Sequence, residues 1–416
     1  MEIKRAYYLK QLEIRENNGL VKVITGVRRC GKSYLVFKLF KNRLLERNIP
    51  EDHIIEVILD SIEYEELREP HTLYSFIKSK IVDNSKYYIL LDEVQFVERF
   101  SEVLNSLLKI DNVEIYATGS NSKFLSSDIL TEFRGRGDEI RVYPLSFSEY
   151  CSAFSGSVDD AWNEYMTFGG LPRILSMQTD ELKSKYLQDL FRETYLKDIV
   201  DRHNIRNRDD LDDLVNVLAS AVGSLTNPTK LQNTFKSKKR SSISNKTIKT
   251  YIEYLSDAFL IDSALRYDIK GKRYINTPVK YYFVDTGLRN ARLGFRQIEE
   301  THLMENVIFN ELRMRGFSVD VGIIEQRRLD ETRRQQRVQL EVDFIAYKGS
   351  NKYYIQSALA IPDAEKSLQE KRPLLSIRDS FKKIVVVGAR IKPRIDDNGI
   401  VMMGITDFLL NQDGLL

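Results

Sequence analysis

The sequence predicts an α/β fold in which a parallel sheet presents a phosphate-binding loop at its carboxyl edge. The first observation is a complete G-x-x-x-x-G-K-[ST] motif at 26–33, preceded by an apolar run at 20–24 and followed by a helical pattern. The second is a near-continuous apolar run at 87–91 that ends in Asp92 and Glu93. Such a run is typical of a central parallel strand, so both features belong to one sheet.

Each position of the motif has a physical reason. Gly26 and Gly31 allow the backbone to curl so that successive N–H groups face one anion. Lys32 can reach the β- and γ-phosphates, and the hydroxyl of Ser33 can bind Mg²⁺. The motif therefore predicts a nucleotide site rather than a simple glycine turn. The predicted binding residues of the loop are Gly26, Val27, Arg28, Arg29, Cys30, Gly31, Lys32 and Ser33.

Two acids at the end of the third predicted strand fit the catalytic half of such a site. Asp92 can hold Mg²⁺, and Glu93 can orient and deprotonate the attacking water. The alternative is that the pair only ends a strand and begins a turn. The next strand, at 113–118, ends in small polar residues, and Thr118, Ser120 and Asn121 are candidate γ-phosphate sensors. A turn rich in small polar residues explains them equally well.

An arginine pair spaced by glycine precedes the fifth predicted strand, which covers 140–143. Arg134 or Arg136 can supply a γ-phosphate sensor, from the same chain or from a neighbouring subunit, and Arg136 is the preferred candidate. The alternative is a basic loop without a ligand.

The segments at 23–33, 91–95, 117–120 and 144–150 resemble those of a broad prokaryotic group of AAA-type ATPases that carries a C-terminal DUF4143 domain. The double arginine of the loop and the Pro-Leu-Ser-Phe run are the most specific of these features. The resemblance implies ATP rather than GTP as the nucleotide, with Mg²⁺, and the sequence contains no N-K-x-D guanine-binding tetrad.

The chain's length and composition predict several domains in a reducing compartment. The chain has 416 residues, of which 42% are hydrophobic, and its net charge is +3. It contains two cysteines, Cys30 and Cys151. The sequence has neither a membrane-length apolar run nor the apolar centre of a signal peptide, so a cytoplasmic protein is expected. We expect an ATPase domain at 1–150, a helical and winged-helix domain at 151–295, and a nuclease-like domain at 296–416.

The predicted middle domain contains two short helices, near 229–235 and 244–258, followed by a β-ribbon, which is the order of a winged helix. Residues 226–252 include seven basic residues and no acidic one. Asn245, Lys246 and Lys249 would lie at the start of the second helix, where a recognition helix meets DNA bases. The alternative is that this region packs against a protein.

The last predicted domain has the order helix, three strands, helix, strand, which matches a restriction-endonuclease-like core. Glu305 on the helix and Asp343 on a strand match the metal-binding acids of such nucleases, with Glu341 on the same strand face. Gln356 stands where a further acid is expected, and Ala358 where a lysine is expected. The sequence therefore predicts a degenerate nuclease-like domain.

Three functions follow from these observations. The first is an ATPase that couples Mg²⁺-dependent hydrolysis to rearrangement of a C-terminal half that binds DNA. The second is a nucleotide-gated regulator with little turnover that binds DNA or a protein. The third, which the substitutions at Gln356 and Ala358 disfavour, is a metal-dependent DNA nuclease. The expected partners are ATP, DNA and a second copy of the chain or another protein, without a membrane.

Overall fold

The computed structural model describes residues 3–119, 135–239, 243–329 and 335–411. The chain forms two compact units. The first comprises Met1–Pro144 with Asp257–Phe259, and the second comprises Leu145–Ser256 with Leu260–Leu416.

The first unit contains a five-stranded parallel sheet with the strand order β2-β3-β4-β1-β5. Ile24 pairs with Thr118, and Leu91 pairs with Ala117. Because these pairs lie at the ends of parallel strands, the residues that follow β1, β3 and β4 meet at one edge of the sheet. The strands are β1 (Val21–Thr25), β2 (Ile54–Ile58), β3 (Tyr87–Asp92), β4 (Val113–Thr118) and β5 (Gly137–Arg141).

Helices cover both faces of this sheet, whose central strands are mostly apolar. Every residue of β1, β3 and β4 is buried. On one face, Phe40 packs on Tyr116 with ring centroids 4.6 Å apart. On the other face, Leu73 and Leu104 join the buried cluster that also contains Ile89. The helices are Ala6–Glu13, a continuous helix at 32–46 whose centre (Leu35–Phe40) is π-helical, Pro70–Lys80 and Phe100–Leu107.

The second unit contains an eight-stranded mixed sheet with the order β12-β13-β11-β10-β9-β8-β6-β7. The β6–β7 ribbon enters this sheet through parallel pairing of β6 with β8, so the predicted middle and last regions share one sheet. The strands are β6 (Ile261–Asp268), β7 (Arg273–Phe283), β8 (Ser318–Leu329), β9 (Gln335–Lys348), β10 (Asn351–Ala358), β11 (Lys382–Val387), β12 (Arg394–Ile395) and β13 (Ile400–Gly404).

Most helices of the second unit precede its sheet in the chain, and the others lie between or after its strands. Within the described residues, no helix is long and apolar enough to span a bilayer. The longer helices are Val158–Phe168, Asp180–Asp189 with its continuation to His203, Arg208–Ser220, Asn245–Asp257, Glu300–Met314 and Ala364–Leu375. The shorter helices include Phe147–Ala153, Pro228–Thr234, Thr286–Arg292 and Ile405–Leu410.

A buried carboxylate at Asp285 joins two of these helices. One oxygen accepts the N–H of Gly170 at 2.7 Å, and the other caps the helix Thr286–Arg292 by accepting the N–H of Leu288 at 2.9 Å. A Cβ on Gly169 would meet this carboxylate at 2.2 Å, so the approach requires glycine. Burial raises the pKa of Asp285 to about 6 despite these hydrogen bonds.

Candidate functional site

The phosphate loop leaves β1 and turns sharply before the helix at 32–46. Gly26 has φ 135° and Gly31 has φ 99°, in a region that favours glycine, and Arg29 has φ 67°. A Cβ on Gly26 would lie 2.0 Å from the carbonyl oxygen of Val142. The first glycine of the motif is therefore required by both its backbone conformation and its packing.

The lysine of the motif lies inside the loop. Lys32 is 4% exposed, and its ammonium donates to the carbonyls of Gly26 at 2.9 Å and Val27 at 3.2 Å. Arg28 and Arg29 are exposed on the outside of the same turn. The loop thus orients one cation towards its centre, where a phosphate oxygen can take the place of these carbonyls.

Ser33 and Asp92 come together as the motif predicts. The hydroxyl of Ser33 donates to Asp92 Oδ1 at 3.0 Å, and the hydroxyl of Thr118 donates to the same oxygen. Burial raises the pKa of Asp92, while the bonds from Thr118 and Ser33 act in the opposite direction. Hydroxyl and carboxylate oxygens are ligands that Mg²⁺ prefers, so Ser33 and Asp92 fit a magnesium site.

Glu93 is held by two contacts at the end of β3. Its φ of 51° is in the left-handed region, and its N–H donates to Thr118 Oγ1 at 3.1 Å. The side-chain amide of Gln95 donates to the Glu93 carboxylate. Thr118, one of three predicted sensor candidates, therefore connects the two acids, and the contact from Gln95 was not predicted.

A second residue that the sequence did not reveal is Arg5. It is 5% exposed and donates to the carbonyl of Cys30 at 3.3 Å and to that of Tyr143 at 2.7 Å. The thiol of Cys30 contacts the Val142 carbonyl at 3.3 Å. Arg5 thus connects the phosphate loop to the segment after β5, although it precedes the motif and belongs to no pattern around it.

The arginine prediction requires a correction. The Arg136 carbonyl accepts the N–H of Val21 at 2.9 Å, at the amino end of β1, whereas the phosphate loop follows the carboxyl end of that strand. The strand between them spans about 13 Å, so this placement contradicts a γ-phosphate role for Arg136 in its own chain. Arg141 pairs with Thr25 and is the arginine that β5 brings to the loop edge. The candidates Ser120, Asn121 and Arg134 lie outside the described residues.

The predicted DNA-contact residues of the second unit lie on the helix Asn245–Asp257. Lys246 and Lys249 are exposed, as is Lys230 on the preceding helix. Asn245 is partly buried, and its side-chain amide donates to Thr229 Oγ1 at 3.1 Å. Asn245 therefore connects the two helices, while the lysines face solvent.

The predicted nuclease residues are also brought together. Glu305, Glu341 and Asp343 all contact the ammonium of Lys280, which lies on β7. Gln356 lies on β10, beside the strand of Asp343. The lysine was not predicted, because it comes from the ribbon rather than from the strand that usually supplies it.

Two family models match the chain. A model described as an AAA domain matches residues 18–151, and a domain of unknown function, DUF8612, matches residues 159–299. The resemblance to AAA ATPases is therefore confirmed for the first region. The expected DUF4143 domain is not supported, because the model that matches after the AAA domain is DUF8612.

Two relatives match over most of their length. An uncharacterized protein of Haemophilus influenzae is 36% identical over 98% of this chain and 98% of its own length. The uncharacterized protein MJ1544 of Methanocaldococcus jannaschii is 30% identical over 89% of this chain and 81% of its own.

Solved structures give weaker matches. The Aeropyrum pernix ORC1 protein, solved in complex with DNA, is 11% identical over 70% of this chain and 92% of that one, with a TM-score of 0.29. Protein VC1899 of Vibrio cholerae is 12% identical over 95% and 97%, with a TM-score of 0.20. These likenesses carry no argument about function. By its sequence relatives and its AAA domain, the chain belongs to the family of the Haemophilus and MJ1544 proteins and has an AAA P-loop NTPase fold.

Proposed function

We propose that this protein binds ATP with Mg²⁺ and hydrolyses it at the edge of the first sheet. The observation that carries the proposal is the hydrogen-bonded series Ser33–Asp92–Thr118–Glu93 beside the phosphate loop. In this proposal the loop N–H groups and Lys32 bind the phosphates. Mg²⁺ held by Ser33 and Asp92 would neutralise charge that develops on the phosphate oxygens.

Glu93 is the proposed general base. Glu93 directly follows the metal-binding acid Asp92, and in this proposal its carboxylate accepts the proton of the water that attacks the γ-phosphate. Its N–H is held by the hydroxyl of Thr118, so the residue is oriented before the nucleotide binds. The proposed binding residues of the loop remain those of the motif, Gly26 to Ser33.

Phosphate release tests the proposal. Purified protein with ATP and Mg²⁺ should release phosphate, with and without DNA, and Lys32→Ala should remove the activity. Lys38→Ala is the matched control, because Lys38 is an exposed lysine on the same helix. Wild-type release no greater than that of Lys32→Ala under both conditions would disprove ATP hydrolysis.

A nucleotide-gated regulator with little turnover is the second candidate. The contact from the Gln95 amide to the Glu93 carboxylate favours it, because the amide occupies an oxygen that would otherwise accept the attacking water. Protein purified without added nucleotide and then denatured would release about one ATP per chain in this case. Gln95→Ala should then raise the slow phosphate release, whereas a fast wild-type turnover excludes this candidate.

We further propose a winged-helix role in DNA binding for the helices Pro228–Thr234 and Asn245–Asp257 with the β6–β7 ribbon. The exposed side chains of Lys246 and Lys249 support it. The double variant Lys246→Ala/Lys249→Ala should weaken binding to all sequences and lower the salt slope by about two. The matched control is Lys185→Ala/Lys197→Ala, which removes two exposed lysines from another helix of the same unit. Equal binding by both double variants would exclude this surface.

Oligomerisation is the remaining part of the proposal, and it bears on Arg134 and Arg136. Since Arg136 lies at the far edge of its own sheet, a catalytic role requires a neighbouring subunit. Mass in solution, measured with and without a non-hydrolysable ATP analogue, should show a nucleotide-dependent assembly. Arg136→Ala should lower the turnover of that assembly. A monomer under both conditions excludes the role.

A further inference from the structure

The second unit contains a buried ammonium among three carboxylates. Lys280 is 3% exposed, and its Nζ lies 2.8 Å from Glu305 Oε1, 2.8 Å from Glu341 Oε1 and 3.6 Å from Asp343 Oδ1. The hydroxyl of Tyr282 also donates to Glu305 Oε1, at 2.7 Å. The acids come from the helix Glu300–Met314 and from β9, and the lysine comes from β7.

In a restriction-endonuclease-like fold, acids at these places would hold a divalent metal. The donor set here does not fit that metal. Gln356 supplies no charge at the expected acid position, and Ala358 supplies no amine. The second oxygen of Asp343 accepts the N–H of Ser357 at 2.9 Å. Across the described residues, no group of three or more His, Cys, Asp or Glu side chains is arranged to hold a metal ion.

The charge balance of the cluster explains why the lysine stays ionised. Burial acts to lower the pKa of Lys280, but Glu305, Asp343 and Glu341 raise it above its ordinary value. A charge removed from water is stable only when it is paired and hydrogen-bonded. Here Glu305 and Glu341 each lie 2.8 Å from the ammonium, and Asp343, whose pKa burial raises to about 7, lies farther away at 3.6 Å. The ammonium therefore provides the positive charge that a metal would otherwise bring to these carboxylates.

We propose that the Lys280 ammonium takes the place of a divalent metal in this cluster, so that the second unit is a metal-free module that does not cleave nucleic acid. The cluster then acts as an internal ion pair that joins the ribbon strand β7 to β9 and to the helix carrying Glu305. This proposal is independent of ATP hydrolysis by the first unit.

Metal binding by the full chain tests the proposal. All proteins carry Ser33→Ala, which removes a proposed metal ligand of the phosphate loop, and Mn²⁺ is the probe. With Lys280 present, thermal unfolding should not shift with Mn²⁺, and plasmid should remain intact. Lys280→Met keeps the length of the side chain without its charge, and should unfold about 5 °C or more lower without metal. Added Mn²⁺ should not restore that loss, because the remaining donor set does not fit the metal.

The triple variant Ser33→Ala/Lys280→Met/Asp343→Asn is the matched control, because it lacks one of the acids and should recover part of the stability that Lys280→Met loses. If Lys280→Met folds and unfolds at the same temperature as the protein that retains Lys280, the proposal is wrong, since the cluster would then need no cation. The Ser33→Ala protein, which retains Lys280, tests the proposal through Mn²⁺ binding and plasmid cleavage even if Lys280→Met does not fold. Stoichiometric Mn²⁺ binding or plasmid cleavage that Asp343→Asn abolishes would overturn the proposal.

Discussion

Replacing Thr118 by valine tests the connection between the two acids of the candidate ATP site. The substitution keeps the shape of the side chain and removes its hydroxyl. In the wild type this hydroxyl donates to Asp92 Oδ1 and accepts the N–H of Glu93 at 3.1 Å. Thr118 is fully buried, so no water from bulk solvent replaces it directly. Valine therefore removes both hydrogen bonds at once.

The expected magnitude follows from those two bonds. A buried donor or acceptor left without a partner costs about 1–3 kcal/mol, and the half-buried Glu93 lies at the lower end of that range. We expect the free energy of unfolding to fall by about 2 kcal/mol. The bond from Thr118 also lowers the pKa of Asp92 against the effect of burial, so its loss weakens the carboxylate as a metal ligand. If the transition state of hydrolysis loses about 1.4 kcal/mol of stabilisation, turnover falls about tenfold.

The assay compares steady-state phosphate release and urea unfolding for wild type, Thr118→Val and Thr118→Ser. Serine retains the hydroxyl and should recover most of the turnover, although it loses a buried methyl group. A valine variant with wild-type turnover and wild-type stability would refute the reasoning, because the hydroxyl would then hold neither acid. Loss of turnover in both variants would instead assign the effect to packing.

Three further predictions concern other parts of the chain. Gly26→Ala places a Cβ 2.0 Å from a backbone carbonyl, so the dissociation constant of a fluorescent ATP analogue should rise at least about tenfold. Arg5→Lys loses the fork by which the guanidinium donates to the carbonyls of both Cys30 and Tyr143, and KM for ATP should rise about threefold or more while turnover changes less. The pKa of Asp285 is about 6 in the folded chain and 3.8 in the unfolded chain, so the protonated carboxyl favours the folded state. This contribution to stability is fully present below pH 3.8 and is lost as pH rises through 6. It amounts to about 3 kcal/mol, so Tm should fall between about pH 4 and pH 6, and Asp285→Asn should reduce that fall.

Features that depend on neighbouring residues were predictable from the sequence. The apolar runs predicted the buried strands β1 and β3, and the AAA domain matches the region that carries the motif. The carboxyl ends of parallel strands lie at the same edge of a sheet. The sequence alone could therefore assign the motif and the Asp92–Glu93 pair to one site. The order helix, three strands, helix, strand predicted for residues 296–416 is also present, as Glu300–Met314, β8 to β10, Ala364–Leu375 and β11.

Contacts between distant segments were decided by the tertiary structure. Arg136 and Arg141 lie on the same stretch of chain, and only the pairing of β5 with β1 places the second at the loop edge. Arg5 donates to the carbonyl of Cys30, which lies 25 residues later in the chain. Lys280 on β7 contacts Glu305, which lies 25 residues later on a helix. Periodicity identifies the face on which a side chain lies, but the strand that comes to lie opposite it depends on how the whole sheet assembles. The local pattern of this sequence therefore predicted a phosphate loop, and the assembled sheets decided which side chains surround it and which cation contacts the acids of the second unit.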